Sequence, residues 1–102
     1  MKIKAKLKNG VIKVKAMAKH GMTTYNMMKK KTGNRDDANF ILHIYARIND
    51  ELVFDMSTSQ FLSKNPIIKF KVKADGFKKG DKIAMNWFDR KGKTGKGKTK
   101  IR

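Results

Sequence analysis

Two histidines, His20 and His43, and eight acids are the side chains best suited to proton transfer near neutral pH, and there is no cysteine. Nucleophilic catalysis would set a histidine beside a serine or threonine, with an acid to orient it. The two histidines are far apart in sequence, and no spacing suggests such a group. His43 falls in the middle of an extended segment with a mixed face, the place of a packed or half-exposed structural histidine. His20 stands at a strand-to-loop boundary before Gly21 and Met22, where a special role competes with the plainer one of capping a turn. Asp36 and Asp37 are adjacent, so in an extended segment they point opposite ways and read as loop solvation rather than a metal pair. Asp50, Glu51 and Asp55 flank a hairpin and do not match the spacing of a calcium loop. Gly92, Gly95 and Gly97 lie among lysines and have the composition of a phosphate cradle. A phosphate-binding loop, however, needs its lysine followed by serine or threonine at the opening of a helix. Gly95-Lys96-Gly97-Lys98-Thr99 is too near the C-terminus for that and reads as a flexible basic strand. The sequence therefore argues against an enzyme, and no residue set calls for a metal or a cofactor.

Period-two alternation dominates the segments that would position these residues, and no long helical stripe occurs. Residues 2–8 alternate lysine with Ile3, Ala5 and Leu7. Asn9-Gly10 is a two-residue turn signal, and residues 11–18 then put Ile12, Val14, Ala16 and Ala18 on one face. Residues 19–37 break the pattern with Gly21, Gly33 and the Met27-Met28 pair, and read as a long loop with at most a short helical turn. From Asn39 to Ile48, one face holds Phe40, Leu42, Ile44, Ala46 and Ile48. The other holds Ile41, His43, Tyr45 and Arg47, which predicts a central strand. Asn49-Asp50 is a second tight turn, after which Leu52, Phe54 and Met56 continue the alternation. A polar loop over residues 57–66 leads to a strand with Ile68, Phe70 and Val72 inward. Ile83, Met85 and Trp87 form the next inward face, Asp89 to Lys93 a turn, and the tail a final edge strand. About seven short strands separated by turns predict an all-β fold, an immunoglobulin-like antiparallel β-sandwich without the cysteine–tryptophan–cysteine core, formed by residues 1–102 as a single domain.

The sequence has 102 residues, 39% of them apolar, enough for one modest core. No apolar run approaches the roughly 20 residues of a membrane helix. The N-terminus lacks the apolar stretch of a secretory signal, which taken alone says cytoplasmic. The 26 lysines and arginines against 8 acids give a net charge of +18. Such a surface attracts polyanions and acidic proteins and raises the local concentration of small anions. Only Arg35, Arg47, Arg90 and Arg102 are arginine, whereas recognition of phosphates and base edges favours the planar guanidinium. The aromatics fall mostly on inward parities. Those open to solvent, Tyr25, Phe61, Phe77 and Phe88, are mainly in loops. With Met22, Met27 and Met28 they suit a protein interface better than a base-stacking platform.

Several motifs in order carry a family resemblance along nearly the whole chain. They are the lysine-rich first strand with Asn9-Gly10 and Val11, then Lys19-His20 and Met22, then Lys31-Thr32-Gly33 and Phe40-Ile41. Ser63-Lys64-Asn65-Pro66 follows, with an alternating strand holding Phe70, and finally Lys79-Gly80-Asp81, Trp87, Asp89 and Lys91-Gly92. The chain resembles the SoxZ family, the smaller subunit of the SoxYZ carrier of bacterial sulfur oxidation. It departs from the family pattern at Gly21, where proline is usual, and at Thr23-Thr24-Tyr25-Asn26, which replaces a shorter turn. The resemblance implies a heterodimer with a SoxY-like chain that holds the sulfur substrate on a C-terminal cysteine during thiosulfate oxidation. It also implies transient contact with other sulfur-oxidation enzymes, and a periplasmic address reached by co-export with a signal-bearing partner. The expected contact residues are His20, Met22, Phe61 and Asn65. The alternative is a small basic nucleic-acid-binding β-domain, against which scarce arginine and few exposed aromatics count.

Overall fold

Alternation of lysine with apolar side chains sorts each strand into a wet face and a dry one, and the dry faces pair off as two sheets. The computed structural model describes residues 1–58 and 62–102. The strands are β1 (Lys2–Lys8), β2 (Val11–Met17), β3 (Ile41–Ile48), β4 (Glu51–Ser57), β5 (Ile67–Lys73), β6 (Lys82–Asp89) and β7 (Thr94–Lys100). One sheet has the order β1-β2-β5 and the other β4-β3-β6-β7, all neighbours antiparallel. The chain changes sheet between β2 and β3, between β4 and β5 and between β5 and β6, as in an immunoglobulin-like sandwich whose fourth strand stays beside the third. No helix of the described residues is long and apolar enough to cross a membrane.

The core lies between the sheets. Ile12, Ile44, Ile48, Ile83 and Met85 are fully buried there, each contributing about 1.5–3 kcal/mol by leaving water. Both tight turns have the left-handed backbone that two-residue hairpins need, with φ of 52° and 74° at Asn9 and Gly10 and 50° and 68° at Asn49 and Asp50. Beyond β7 the chain continues along the free edge of β1. Leu7 N–H donates to Arg102 O (2.7 Å), Arg102 N–H donates to Ala5 O (3.0 Å), and Ile101 is buried between the sheets. The C-terminus thus closes one side of the sandwich.

Three sequence expectations need correction. Strict alternation put Leu42 inward and Ile41 outward, yet Ile41 is fully buried and Leu42 is 36% exposed. A bulge against β6 between Ile41 and His43 is the cause, because one extra residue reverses the parity behind it. The same happens between Ala46 and Arg47 on the β4 side, so Leu52, expected inside, is half exposed. The segment read as a loop contains an eight-residue helix, α1 (Tyr25–Thr32), followed by a 3-10 turn at Arg35–Asp37. Thr24 caps α1 by accepting from Met27 N–H at 3.1 Å, and Gly33 closes its C-terminus. No residue of α1 is buried, so no apolar stripe announces it.

Candidate functional site: the loop pole around His20 and Asp89

The β2–β3 connection, the β4–β5 connection and the β6–β7 turn meet at one end of the sandwich, the end where immunoglobulin-like folds present their binding loops. A polar cluster ties them together. Asp89 ends β6 on the same parity as Ile83, Met85 and Trp87, and this places a carboxylate in the core at 2% exposure. A buried carboxylate is tolerated only with a full set of donors. One oxygen accepts His20 Nε2 (3.0 Å) and Asn39 Nδ2 (2.9 Å). The other accepts the backbone N–H of Lys91 (3.0 Å) and of Lys93 (2.8 Å), which winds the β6–β7 turn around the side chain. Burial pushes the Asp89 carboxyl up. The hydrogen bonds from His20, Asn39 and Lys93 outweigh this and hold the group below its ordinary value.

His20 is held from every side. Its Nδ1 accepts Met22 N–H at 2.9 Å, so the proton of the neutral ring sits on Nε2 and points at Asp89. Its backbone N–H donates to Asn65 Oδ1 (3.0 Å) and its carbonyl accepts Asn65 N–H (2.8 Å), which clamps the β2–β3 and β4–β5 connections together. The ring stands edge-on to Trp87 with centroids 5.2 Å apart. Trp87 in turn lies over Gly95 of β7, where an added Cβ would come within 2.2 Å of the indole. That close approach, rather than flexibility or phosphate binding, is what a glycine does at this position. Met22 has φ of +50°, which is costly for a side chain of its size; its turn is secured by the bond to His20 and by Ile41 N–H donating to its sulfur at 3.4 Å.

The cluster extends toward α1. Thr23 and Asn39 exchange bonds, Thr23 N–H and Oγ1 both donating to Asn39 O (2.8 and 3.1 Å) and Asn39 N–H donating to Thr23 Oγ1 (2.8 Å). Arg90 donates from Nη1 to the carbonyls of Asp36 and Ala38, both at 2.9 Å, and its guanidinium faces the Tyr25 ring at 5.3 Å. Tyr25 stands edge-on to Phe40, and these contacts fasten α1 to the sandwich.

Of the expected contact residues, the structure brings His20, Met22 and Asn65 together, with His20 and Met22 largely buried beneath the loop surface. Phe61 lies outside the described residues. Sequence reasoning gave Asp89, Asn39 and Arg90 no role. The available signal was parity: Asp89 continues the inward face of Trp87, and an acid there requires donors. Beside this pole, the outer face of the four-stranded sheet carries an exposed strip. Phe88 (40% exposed) stacks on His43 at 5.5 Å, with Leu42 and Tyr45 adjacent, and His43 pairs with Asp55. Among the described residues, no three histidine, aspartate or glutamate side chains converge as metal ligands.

Fold and site together define an immunoglobulin-like sandwich whose buried polar groups are spent on fixing the loops at one end. The chain belongs to the SoxZ family: the family model for the sulphur oxidation protein SoxZ matches residues 1–100. Its role is accordingly in sulfur oxidation. A comparison with curated proteins finds no match.

Proposed function

We propose that this chain is the non-catalytic subunit of a SoxYZ-type sulfur carrier, paired with a SoxY-like chain that holds the sulfur substrate on a C-terminal cysteine. The loop pole, with the adjoining strip of Leu42, His43 and Phe88, is the contact surface. His20, Met22 and Asn65 act there by holding the loops in position. The heterodimer works in the periplasm, which it reaches on the signal of the partner, and makes transient contact with other sulfur-oxidation enzymes. The observation that carries the reading is the pairing of a SoxZ family match with an exposed aromatic strip continuous with a rigid loop pole. Aromatic residues are enriched at protein interfaces, and contiguous apolar surface such as exposed Phe88 and Leu42 with half-buried Tyr45 marks interaction sites.

Co-expression with a SoxY-like chain that ends in a glycine-rich cysteine motif tests it. Stable one-to-one co-purification is expected, and Phe88→Asp is expected to abolish it while leaving the thermal melt within a few degrees. Failure of the wild-type protein to associate, or retention of nuclease-sensitive material instead, would refute the reading.

A further inference from the structure

The positive charge is not spread evenly over the sandwich. Strand register places Lys4, Lys15 and Lys69 in one row across β1, β2 and β5, and Lys6, Lys13 and Lys71 in the next. With Lys2, Lys8 and Lys73, nine of the twelve outward positions of this sheet are lysine, all exposed, and none is acidic. Among the described residues none of the nine is ion-paired. Like charges directly opposite on neighbouring strands are destabilising, and four such Lys–Lys pairs recur here: 4–15, 6–13, 13–71 and 15–69. The outer face of the other sheet is also basic, with Arg47, Lys82, Lys96 and Lys98, but there Asp55, Tyr45, Ala84 and Asn86 stand between the cations. A groove of about 710 Å³ lies on the lysine face, its lining including both lysine rows and the row Ala5, Val14 and Phe70 between them. It continues past β1 to Lys100 and Arg102, where the C-terminus extends the sheet.

The geometry points to this groove as a docking site for an acidic, extended protein segment, separate from the loop pole and independent of the SoxY-like pairing. Four neighbouring chains at about 4.8 Å spacing make the groove about 14 Å long, the span of four or five extended residues. Side chains of such a segment alternate to left and right, so consecutive acids address both lysine rows. Nucleic acid fits less well. The strands of the face hold no arginine for bidentate contacts and no outward aromatic for stacking, and their outward apolar residues are the aliphatic Val11, Met17 and Ile67.

Fluorescence anisotropy with a labelled hexaglutamate peptide at low salt tests the site on the intact protein. Lys13→Gln with Lys15→Gln on the central strand is compared with Lys96→Gln with Lys98→Gln on β7, which removes the same charge from the other sheet. All four side chains are exposed, and a thermal melt checks that both variants fold. The expected result is wild-type binding that falls at least tenfold in the β2 variant and less than threefold in the β7 variant. Equal losses in both variants would overturn the proposal by reducing the effect to net charge, as would a wild-type protein that does not bind the peptide. An oligothymidylate of equal charge binding more tightly, and lost in the β2 variant, would overturn it in favour of nucleic acid.

Discussion

Replacing Asp89 by asparagine keeps the shape of the side chain and removes one of its two acceptors. The carboxylate serves four donors, two on each oxygen. An asparagine oxygen turned to Lys91 and Lys93 leaves its NH2 facing the N–H groups of His20 and Asn39. The imidazole cannot answer by moving its proton, because Nδ1 already accepts Met22 N–H. Two buried donors then lose their partner at about 1–3 kcal/mol each, which after relaxation amounts to about 2–4 kcal/mol. For a domain of this size that corresponds to a fall in Tm of roughly 10–25 °C. Urea unfolding followed by the fluorescence of Trp87, the single tryptophan, reads the loss at the residue that touches His20. The pH dependence supplies a second check. A carboxyl whose folded pKa is depressed stabilises the native state above its unfolded value of about 3.9, and that contribution is lost as pH falls through the folded value. The gap between wild type and Asp89→Asn should therefore be constant near neutrality and narrow below about pH 4. A variant within about 0.5 kcal/mol of wild type at pH 7, in the range of a neutral surface change, would refute the hub role of Asp89, as would a gap that persists at acid pH.

Two further substitutions probe what supports the pole and the sandwich edge. Gly95→Ala puts a Cβ 2.2–2.5 Å from the Trp87 ring, so it should cost about 1–3 kcal/mol and red-shift the tryptophan emission, whereas Gly97→Ala, whose added Cβ stays 2.7 Å or more from Met1 and Ile3, should cost less; the reverse order would contradict the assignment. Ile101→Ala should lower stability in urea by about 2–4 kcal/mol, because this next-to-last residue is 2% exposed between the sheets, and a neutral result would show that the C-terminal strand is not part of the core.

Much of the sandwich was legible because its signals are local. Asn9-Gly10 and Asn49-Asp50 mark two hairpins, and the alternation in β5 and β6 puts Ile68, Ile83, Met85 and Trp87 inward as expected. The bulges were not legible. Nothing in the types of Leu42 or Val53 marks them as the extra residues of the two bulges, and each bulge is defined by a partner strand rather than by its own. Helix α1 escaped because it buries no face, although Thr24, Gly33 and the lysines of its last turn are the capping and charge pattern of a helix. The pole was legible in part. His20, Met22 and Asn65 were chosen as loop residues and do lie together, but Asp89, the residue that joins them to β6, is 69 positions from His20, and only the fold brings it there.

The most direct test of the account is amide hydrogen exchange of the chain alone and in complex with the SoxY-like chain proposed as its partner. Protection is expected in residues 19–24, 38–43, 62–66 and 87–93, the segments of the loop pole and its aromatic strip. Protection confined to β1, β2 and β5, or no protection anywhere in a complex of confirmed one-to-one mass, would contradict it.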